Sequence, residues 1–476
     1  MVLGSVLVSA GPLGAAIGFV IGAAVMIPIG LCYAELTGAL PYAGGEIVYA
    51  YTLFGLEWAY VAGVSLALIY VINCVFFAIS VGWLLNALLP GIEGSALYTV
   101  LGATVHSGDI VVGVAGSLIL LVAHWRGAKD AARLQDLATY LLLAATCIFV
   151  AIGIGRGSAV NLQPLIAPSG WAWGYGGILS VLAVTPYFFG GFNTIPQAVA
   201  ELEDERDRRR IASLLAGCIL TSLVFYCLVL LAVSMVLSRD QLLKFELPVA
   251  EAFRAAFHSE LITGIVLVGG LLGLVAVWNA LFFAATRVLY ALGRARLLPP
   301  ALGDSGPGGR APTTAISVVT ALSVAGLFLG KGALLPVVNV TSTLFALMYV
   351  IVSLGVLRRR RQGGAEPAVG AKLPAAASAA GYCVPGGRLL VWAAVLFAIY
   401  LLVLSLLQQW MDAAGRLPVE WLLMVGFGVL AWLLWRALRT ARDSLSSDQR
   451  RRIILEEGGP QPAAVQPTSR LDVITK

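Results

Sequence analysis

Twelve consecutive residues near the middle of the chain, from Pro186 to Gln197, have the composition of a small-solute site in a broken helix. They read PYFFGGFNTIPQ, in which the adjacent Gly190 and Gly191 lie between two prolines. Glycine and proline both weaken the hydrogen-bond ladder of a helix. Main-chain N–H groups freed at such a break, together with the N-terminus of the following half-helix, can bind a carboxylate without a cationic side chain. The alternative interpretation is a kink that serves helix packing.

The side chains around the two glycines indicate how a substrate would be held. The aromatic rings could close over a bound solute as gates. Asn193 and Gln197 are four residues apart and share a face if the helix resumes there, so they could contact substrate or hydrogen-bond to neighbouring helices. The predicted substrate-binding residues are Phe189, Gly190, Gly191, Phe192, Asn193 and Thr194.

The elements that must position these residues are apolar helices. Of the 476 residues, 59% are hydrophobic and 12% charged, and the mean hydropathy is +0.90. An average soluble domain is about 25% charged, and roughly 20 apolar residues form a helix that spans a bilayer. We therefore predict an all-α polytopic membrane protein with eleven full spans. The spans are predicted at 13–34, 47–86, 109–125, 134–155, 174–200, 211–237, 260–291, 312–330, 334–357, 388–408 and 419–437.

Three segments carry predictions of their own. The segment 47–86 is long for one helix, so its first turns are predicted to project from the membrane or to tilt. The loop 238–258 is too polar to span and is predicted to form short helices on the outer face. The transmembrane domain is predicted to cover 1–440, and the polar tail at 441–476 is predicted to be cytoplasmic and disordered.

Basic residues determine the predicted orientation, because cytoplasmic loops of membrane proteins are enriched in Lys and Arg. All but six of the 31 basic residues fall on one side when the loop after the first full span is placed in the cytoplasm. The exceptions are Arg156, Arg239, Lys244, Arg254, Lys331 and Arg416. The net charge of +6 is therefore interpreted as membrane topology, and nucleic acid is not a predicted partner. The C-terminus is predicted to be cytoplasmic.

This orientation leaves the apolar stretch at 1–10 outside or within the membrane. Ten residues of helix cover about 15 Å, which is half of a bilayer. We expect this stretch to be the outer half of a span whose inner half is missing, through truncation or a start codon assigned too late. The alternative is an eleven-span protein with its N-terminus outside.

Four groups of residues, in order along about 10–340, resemble signatures of the amino acid–polyamine–organocation transporter superfamily. They are YAEL at 33–36 with LPYAGG at 40–45, RGAK at 126–129, FFGGF at 188–192 continuing to Glu201, and ATRVLYAL at 285–292 continuing to Pro299. The resemblance implies twelve spans in two inverted five-helix repeats, a leucine-transporter-like bundle. It also implies that spans 1 and 6 are broken near the bilayer midplane, with 1–10 in span 1 and 186–197 in span 6.

The function implied by the resemblance is that of a secondary transporter, an amino acid permease. It would move amino acids or related amines across the cell inner membrane by alternating access, with the substrate held at the broken spans 1 and 6. The predicted partners are this small-molecule substrate and the lipid bilayer. The alternatives are a transport-inactive or scaffold protein and a membrane-embedded enzyme. Against an enzyme, the chain contains no HExxH sequence and only three histidines.

The sequence predicts no cofactor and no metal site. Five of the six cysteines lie in apolar spans, and none forms a CxxC pair. No ionisable side chain falls near the middle of a predicted span, and the lysine of span 5 in some relatives has no counterpart at 140–143, which reads YLLL. The residues therefore assign no coupling ion. Structural hydrogen bonding is the predicted role of the polar residues in other spans, which are Asn73, Trp278, Asn279, Asn339, Thr341 and Ser342.

Overall fold

The computed structural model describes residues 2–42, 44–89, 91–126, 131–167, 176–197, 210–243, 248–304, 311–362, 382–413 and 416–455. Within these ranges the fold consists of helices and one two-stranded hairpin. Nine of the described helices are long and apolar enough to cross a membrane, and two further apolar helices, Gly176–Phe188 and Thr313–Leu327, are shorter. The prediction of an all-α polytopic membrane protein is therefore confirmed.

The helices and strands are numbered in chain order. Their bounds are α1 (Val2–Ala39), α2 (Glu46–Phe54), α3 (Leu56–Leu88), α4 (Ser107–Arg126), α5 (Ala131–Arg156), α6 (Gly176–Phe188), α7 (Thr194–Gln197), α8 (Ile211–Val236), α9 (Arg239–Leu242), α10 (Pro248–Phe257), α11 (Glu260–Arg294), α12 (Thr313–Leu327), α13 (Leu334–Arg361), α14 (Gly387–Asp412), α15 (Val419–Ala437), α16 (Arg439–Asp443) and α17 (Ser447–Leu455). The strands β1 (Ala96–Val100) and β2 (Ala103–His106) pair antiparallel. Short 3-10 turns lie at Ala159–Leu162, Pro300–Gly303 and Lys331–Ala333.

The first helix is interrupted at Gly11, whose φ of 74° and ψ of 168° are not helical. On either side of this residue the backbone bonds to the loop that follows α5. The amide of Leu13 donates to the carbonyl oxygen of Leu165 across 2.9 Å. The amide of Ala167 donates to the carbonyl oxygen of Ala10, also across 2.9 Å. The stretch 2–10 and the first full span are therefore separate helical segments held by one loop.

The apolar segment predicted as a single helix at 47–86 is two helices, so this prediction was wrong. α2 ends at Phe54 and α3 begins at Leu56. Gly55 between them has a φ of 100°, which glycine adopts without steric cost. Hydropathy does not detect the break because the residues on both sides of it are apolar.

Contacts between segments distant in sequence form two separate groups, one at each end of the bundle. In the first group, the Tyr98 hydroxyl donates to the carbonyl oxygen of Phe328 across 2.7 Å, and Arg239 Nε donates to that of Val8 across 3.1 Å. In the second group, Arg360 Nε donates to Glu35 Oε1 across 2.9 Å. The first group joins segments that the basic residues place outside, and the second joins segments that they place in the cytoplasm.

The centre of the bundle is formed by α3 and α13, because most of their residues are buried. In contrast, α5 and α15 expose most of their apolar surface, including the side chains of Ile148 and Leu422. In a membrane such surfaces contact lipid. Around the centre, α1 packs against α6 and α8, α3 packs against α11, and α4 packs against α12.

Two polar segments outside the spans were also given predictions, and the structure agrees with one prediction and differs from the other. The loop 238–258 contains the short helices α9 and α10, as its polarity predicts. The tail predicted to be disordered contains α17, in which Ile454 and Leu455 are buried, so the structure differs from the prediction there. This apolar pair gives the helix a face that packs. The predictions for Lys129, Glu201 and the chain beyond 455 lie outside the described residues.

Candidate functional site

The helix that carries the predicted site is interrupted where its two glycines lie. α6 ends at Phe188 and α7 begins at Thr194, which leaves 189–193 without helical structure. Gly191 has a φ of 106°, a region in which a side chain would be strained. All six predicted site residues fall within this interruption or on its border.

The interruption leaves two main-chain amides free. The amides of Phe189 and Gly190 donate to carbonyl oxygens of α6, across 2.9 and 3.1 Å. The amide of Gly191 donates to Asn193 Oδ1 across 3.1 Å. The amides of Phe192 and Asn193 have no hydrogen-bond partner among the described residues. The donors available to a solute are therefore those that follow the glycines, and the glycines create them by breaking the helix.

One side of the interruption faces open space. Gly191 and Thr194 are exposed, whereas Phe189, Phe192 and Asn193 are buried. A side-chain carbon added at Gly191 would meet no atom within 4 Å. A solute can therefore approach the segment from the side of Gly191 while the buried residues hold it in place.

Aromatic rings enclose the buried side of the interruption in two groups. The first group consists of Phe19, Phe188, Phe189 and Tyr226, with Phe19 stacked on Tyr226 at a centroid distance of 5.3 Å. The second group consists of Tyr33, Phe192 and Tyr349, with Phe192 stacked on Tyr349 at 5.9 Å. Phe189 and Phe192, the two aromatic residues among the predicted substrate-binding residues, thus lie in different groups.

A buried carboxylate, Glu46 at the start of α2, lies beside the interruption. Glu46 Oε1 accepts hydrogen bonds from the Tyr33 hydroxyl at 3.1 Å and from Asn193 Nδ2 at 2.9 Å. Glu46 Oε2 accepts from Gln197 Nε2 at 3.4 Å, and the same nitrogen donates to the Tyr70 hydroxyl at 2.6 Å. Hydrogen bonds to an ionised group contribute about 1.5–3 kcal/mol each, which offsets part of the cost of burying the charge.

Asn193 connects this carboxylate to the interruption. Its Oδ1 accepts from the Gly191 amide and its Nδ2 donates to Glu46, so the two contacts fix the orientation of the side-chain amide. Gln197 bonds to the same carboxylate from the first turn of α7. The sequence left two roles open for the side chains of Asn193 and Gln197, substrate contact or hydrogen bonding to neighbouring helices. In this structure both side chains bond to neighbouring helices.

Sequence reasoning did not identify Glu46 as part of the site. The residue follows the LPYAGG turn directly and precedes the apolar segment at 47–86, so it has the sequence context of a solvated loop carboxylate. In the structure it is completely buried. The available signal was the composition of the eight residues after it, which contain no charged side chain and only Tyr49, Tyr51 and Thr52 as polar ones. Such a composition indicates a buried helix start.

The polar residues of other spans mostly bond between helices, in the role predicted for them. Asn73 Nδ2 donates to the Thr341 hydroxyl across 3.0 Å, Asn279 Oδ1 lies 3.0 Å from His124 Nε2, and Asn339 Nδ2 donates to Glu420 across 2.9 Å. Two other residues with this predicted role do not form such bonds. Trp278 Nε1 and the Ser342 hydroxyl are buried without a hydrogen-bond partner among the described residues.

A cavity of about 440 Å³ lies at the end of the bundle where α6 begins. Its lining residues come from the stretch 2–10 and from α6, α13 and α14, and they include Ser9, Ser180, Asn339 and Asp412. Val184, one turn before the end of α6, also lines it. The cavity therefore approaches the interruption from the end of the bundle that the basic residues place outside.

The part of the chain that the structure describes contains no group of three or more His, Cys, Asp or Glu side chains placed to hold a metal ion. The chemistry available at the interruption is therefore that of main-chain amides, aromatic rings, side-chain amides and one carboxylate. Such groups bind and release a solute.

Comparison with known proteins identifies the class to which this chain belongs. The family model described as amino acid permease matches residues 1–430. The chain therefore belongs to the amino acid permease family, within the amino acid–polyamine–organocation superfamily, and it is a transporter-family protein of the membrane and not an enzyme.

Three relatives illustrate the range of that family. The chain is 28% identical to the branched-chain amino acid permease BcaP of Lactococcus lactis, over 77% of this chain and 78% of the relative. It is 25% identical to the branched-chain amino acid permease BcaP of Bacillus subtilis, over 90% and 84%. It is 26% identical to the methylthioribose transporter of Bacillus subtilis, over 69% and 70%.

Proposed function

We propose that this protein is a secondary transporter that moves amino acids or related amines across the cytoplasmic membrane by alternating access. The substrate binds at the interruption between α6 and α7, against the helical stretch 2–10 of the first span. The pairings α1 with α8, α3 with α11 and α4 with α12 support the inverted five-helix repeat on which this mechanism depends.

The observation that carries the proposal is the pair of free amides at Phe192 and Asn193. They follow a glycine with a φ of 106° and lie at the start of a new helical turn, where donors and the helix dipole favour an anion. An amino acid presents a carboxylate to these donors. Its ammonium group can donate hydrogen bonds to the carbonyl oxygens of Phe189 and Gly190, which accept no hydrogen bond from the described residues.

The relatives' names narrow the substrates to be tested first. Two of the relatives are branched-chain amino acid permeases, and others are cationic amino acid transporters. The aromatic rings that enclose the buried side of the interruption provide apolar surface against which an apolar side chain can pack. Branched-chain amino acids are therefore the substrates that we propose.

The proposed location is the cell inner membrane, with the C-terminus in the cytoplasm. Four consecutive arginines, 358–361, end α13 on the side proposed as cytoplasmic. Lysine and arginine are enriched on that side of membrane proteins. The cavity beside Ser180 and Asn339 lies at the opposite end, and we propose that the substrate enters there.

Uptake into proteoliposomes tests the proposal. The purified chain is reconstituted and uptake is measured for a panel of radiolabelled amino acids and amines that includes leucine. We expect Gly191→Leu to abolish uptake while leaving membrane insertion intact, because a side chain at this φ both strains the interruption and fills the open space beside it.

Gly426→Leu is the matched control. Gly426 is also a glycine in a span with no atom within 4 Å of an added side-chain carbon, but it lies on the exposed surface of α15. We expect this variant to transport as the unchanged chain does. Normal uptake by Gly191→Leu would contradict the site, and a complete absence of uptake by the unchanged chain for every panel member would favour a transport-inactive or scaffold protein.

A further inference from the structure

We propose that a groove between α3 and α15 binds an anionic phospholipid of the cytoplasmic leaflet. Arginines of α15 and α16 hold the phosphate of this lipid, and an acyl chain lies along the groove. The inference goes beyond the proposed function, because the groove faces the bilayer and takes no part in holding the transported solute. It stands on the size, the length and the charge of the groove.

The groove is a cavity of about 1150 Å³ whose lining residues come from α3, α13, α15 and α16. Sites for small molecules have volumes of about 300–1,000 Å³, so this one is larger than an amino acid requires. Gly428 and Trp432 line it and are exposed on α15. Exposed surfaces of a span contact lipid in a membrane, so a lipid can enter the groove from the side.

The length of the groove matches one leaflet of a bilayer. Along α15 its lining runs from Met424 to Arg436, and these twelve steps of helix cover about 18 Å. The hydrocarbon of one leaflet is about 15 Å thick. Val61 and Val64 of α3 and Phe427 of α15 line the groove between its ends. An acyl chain can therefore lie against apolar side chains from the headgroup level to the middle of the membrane.

Positive charge is concentrated at the cytoplasmic end of the groove, where Arg436, Arg439 and Arg442 line it. Arg439 lies 3.7 Å from Asp443, and both of these side chains are exposed. Among the described residues, neither Arg436 nor Arg442 forms a salt bridge, and neither does Glu57, the other carboxylate that lines this end. Arginine N–H groups match the geometry of phosphate oxygens, so two guanidinium groups are available to an anionic headgroup.

Tryptophan rings hold these two guanidinium groups in place. The guanidinium carbon of Arg436 lies 4.3 Å from the ring centroid of Trp432, and that of Arg442 lies 3.7 Å from the ring centroid of Trp435. Arg442 Nη1 also donates to the carbonyl oxygen of Trp435 across 2.7 Å, and the other N–H groups of this side chain can bind phosphate. Tryptophan is enriched at the membrane–water interface, so the rings place both charges at headgroup level.

Tyr60 fixes the distance between α3 and α15. Its hydroxyl donates to the carbonyl oxygen of Ala431 across 2.6 Å, and its ring centroid lies 4.7 Å from that of Trp435. Tyr60 and Ala431 also line a second cavity, of about 410 Å³, whose described lining residues include no charged side chain. Arginines therefore border only one of the two spaces beside this contact, and that space is the one suited to an anionic lipid.

An anionic lipid fits the charge of the groove better than a second copy of the chain does. A two-fold dimer through this face would bring the same arginines of both copies together at the same depth in the membrane, where like charges repel. The cytoplasmic leaflet is rich in anionic lipids, and basic pockets between spans on that side bind their headgroups.

Native mass spectrometry of the purified chain, titrated with phosphatidylglycerol or with phosphatidylcholine of the same acyl chains, tests the charge. We expect the unchanged chain to retain phosphatidylglycerol more tightly. Arg436→Gln combined with Arg442→Gln should lower that affinity by about tenfold or more, because two charged hydrogen-bonding groups are lost. The matched control combines Arg361→Gln with Arg452→Gln, two exposed arginines outside the groove. Equal affinity for the two lipids, or equal losses in the two double variants, would overturn the proposal.

Two glycines of α15 test whether the acyl chain lies in the groove. A side-chain carbon added at Gly428 or at Gly426 would meet no atom within 4 Å, but only Gly428 lines the groove. We expect Gly428→Leu to weaken phosphatidylglycerol binding by about fourfold for each methylene that it displaces, and Gly426→Leu to bind as the unchanged chain does.

The same titration distinguishes the other occupants of the groove. Glycerophosphoglycerol, the headgroup without acyl chains, is added as a competitor, and we expect it to displace phosphatidylglycerol only at far higher concentration. Displacement at equal concentration would show a site for a free anion and overturn the lipid proposal. A lipid-free dimer that dissociates in Gly428→Leu and persists in Gly426→Leu would assign the groove to a second copy of the chain.

Discussion

Asn193 is the residue that ties the interrupted helix to its surroundings, because it bonds to the Gly191 amide on one side and to Glu46 on the other. Neither contact can be replaced by water while the side chain is buried. The residue therefore holds the shape of the interruption in the absence of substrate. It also leaves its own main-chain amide free for a solute.

We expect Asn193→Ala to lower the stability of the protein by about 1–3 kcal/mol, because it removes one hydrogen bond to the buried Glu46 carboxylate and the acceptor of the Gly191 amide. The measurement is the thermal unfolding of the purified chain in detergent. Thr194→Ala is the comparison variant, since the hydroxyl of this adjacent exposed residue makes a single hydrogen bond, to the Gly191 carbonyl oxygen, and its removal should cost about 0.5–1 kcal/mol. Equal stability of the two variants would contradict this role for Asn193.

The sequence predicts residue roles well where the chemistry is local and poorly where it depends on distant partners. Gly190 and Gly191 stand out by type, and an interruption of the helix follows from them directly. The bonds of Glu46 to Tyr33 and to Asn193 join residues 13 and 147 positions apart, so no spacing rule relates them. Side chains that meet only through tertiary packing leave no periodic signal.

At the scale of elements, a buried ion pair joins the ends of three helical segments. Glu35, near the end of α1, has 1% of its side chain exposed and accepts from Arg360 in the last turn of α13. It also accepts from the main-chain amide of Val384 at 2.8 Å, just before α14. The glutamate of the YAEL string therefore has a structural role in holding these ends together.

We expect Arg360→Ala to destabilise the protein by about 1.5–3 kcal/mol, because the buried Glu35 carboxylate loses its two charged hydrogen bonds from Arg360 and keeps only the longer contact of 3.7 Å with Arg359 and the bond from the Val384 amide. Thermal unfolding in detergent measures the change. Arg361→Ala is the matched control, since this neighbouring arginine is exposed and forms no ion pair with a described residue. If the pair acts as a unit, the loss in Arg360→Ala is reduced when Glu35→Gln is added, and strictly additive losses would argue against the pairing.

Hydropathy predicts which segments are spans, but it does not detect where the chain changes conformation without a change in polarity. Each of the eleven predicted spans contains at least one observed helix. The break at Gly55 was missed because its neighbours, Phe54 and Leu56, are both apolar. The β1–β2 hairpin was missed because hydropathy does not detect a short alternation of polar and apolar residues in a loop. These features arise from glycine conformation and strand pairing.

At the scale of the whole molecule, the two groups of contacts between distant segments define two ends. The basic residues predict which end is cytoplasmic, because 358–361 and the tail lie at the end that includes Glu35. Cys383 is exposed near the same end, in the connection before α14. Val160, with 78% of its side chain exposed, is in the loop after α5 at the opposite end.

We expect a membrane-impermeant maleimide to label Cys383 in inverted inner-membrane vesicles and not in intact spheroplasts, because the cytoplasmic end faces outward only in the former. Loss of labelling in Cys383→Ser assigns the signal. Val160→Cys in that background is the control and should show the opposite pattern. Labelling of Cys383 from outside intact spheroplasts would reverse the orientation.

The Glu35–Arg360 pair also has a consequence for biosynthesis. The two residues are 325 positions apart, so at ribosomal rates of about 5–20 residues per second the arginine is made roughly 16–65 s after the glutamate. During that interval the first span is in the membrane without its counter-ion. The acidic end of that helix must therefore stay hydrated at the cytoplasmic surface until α13 inserts.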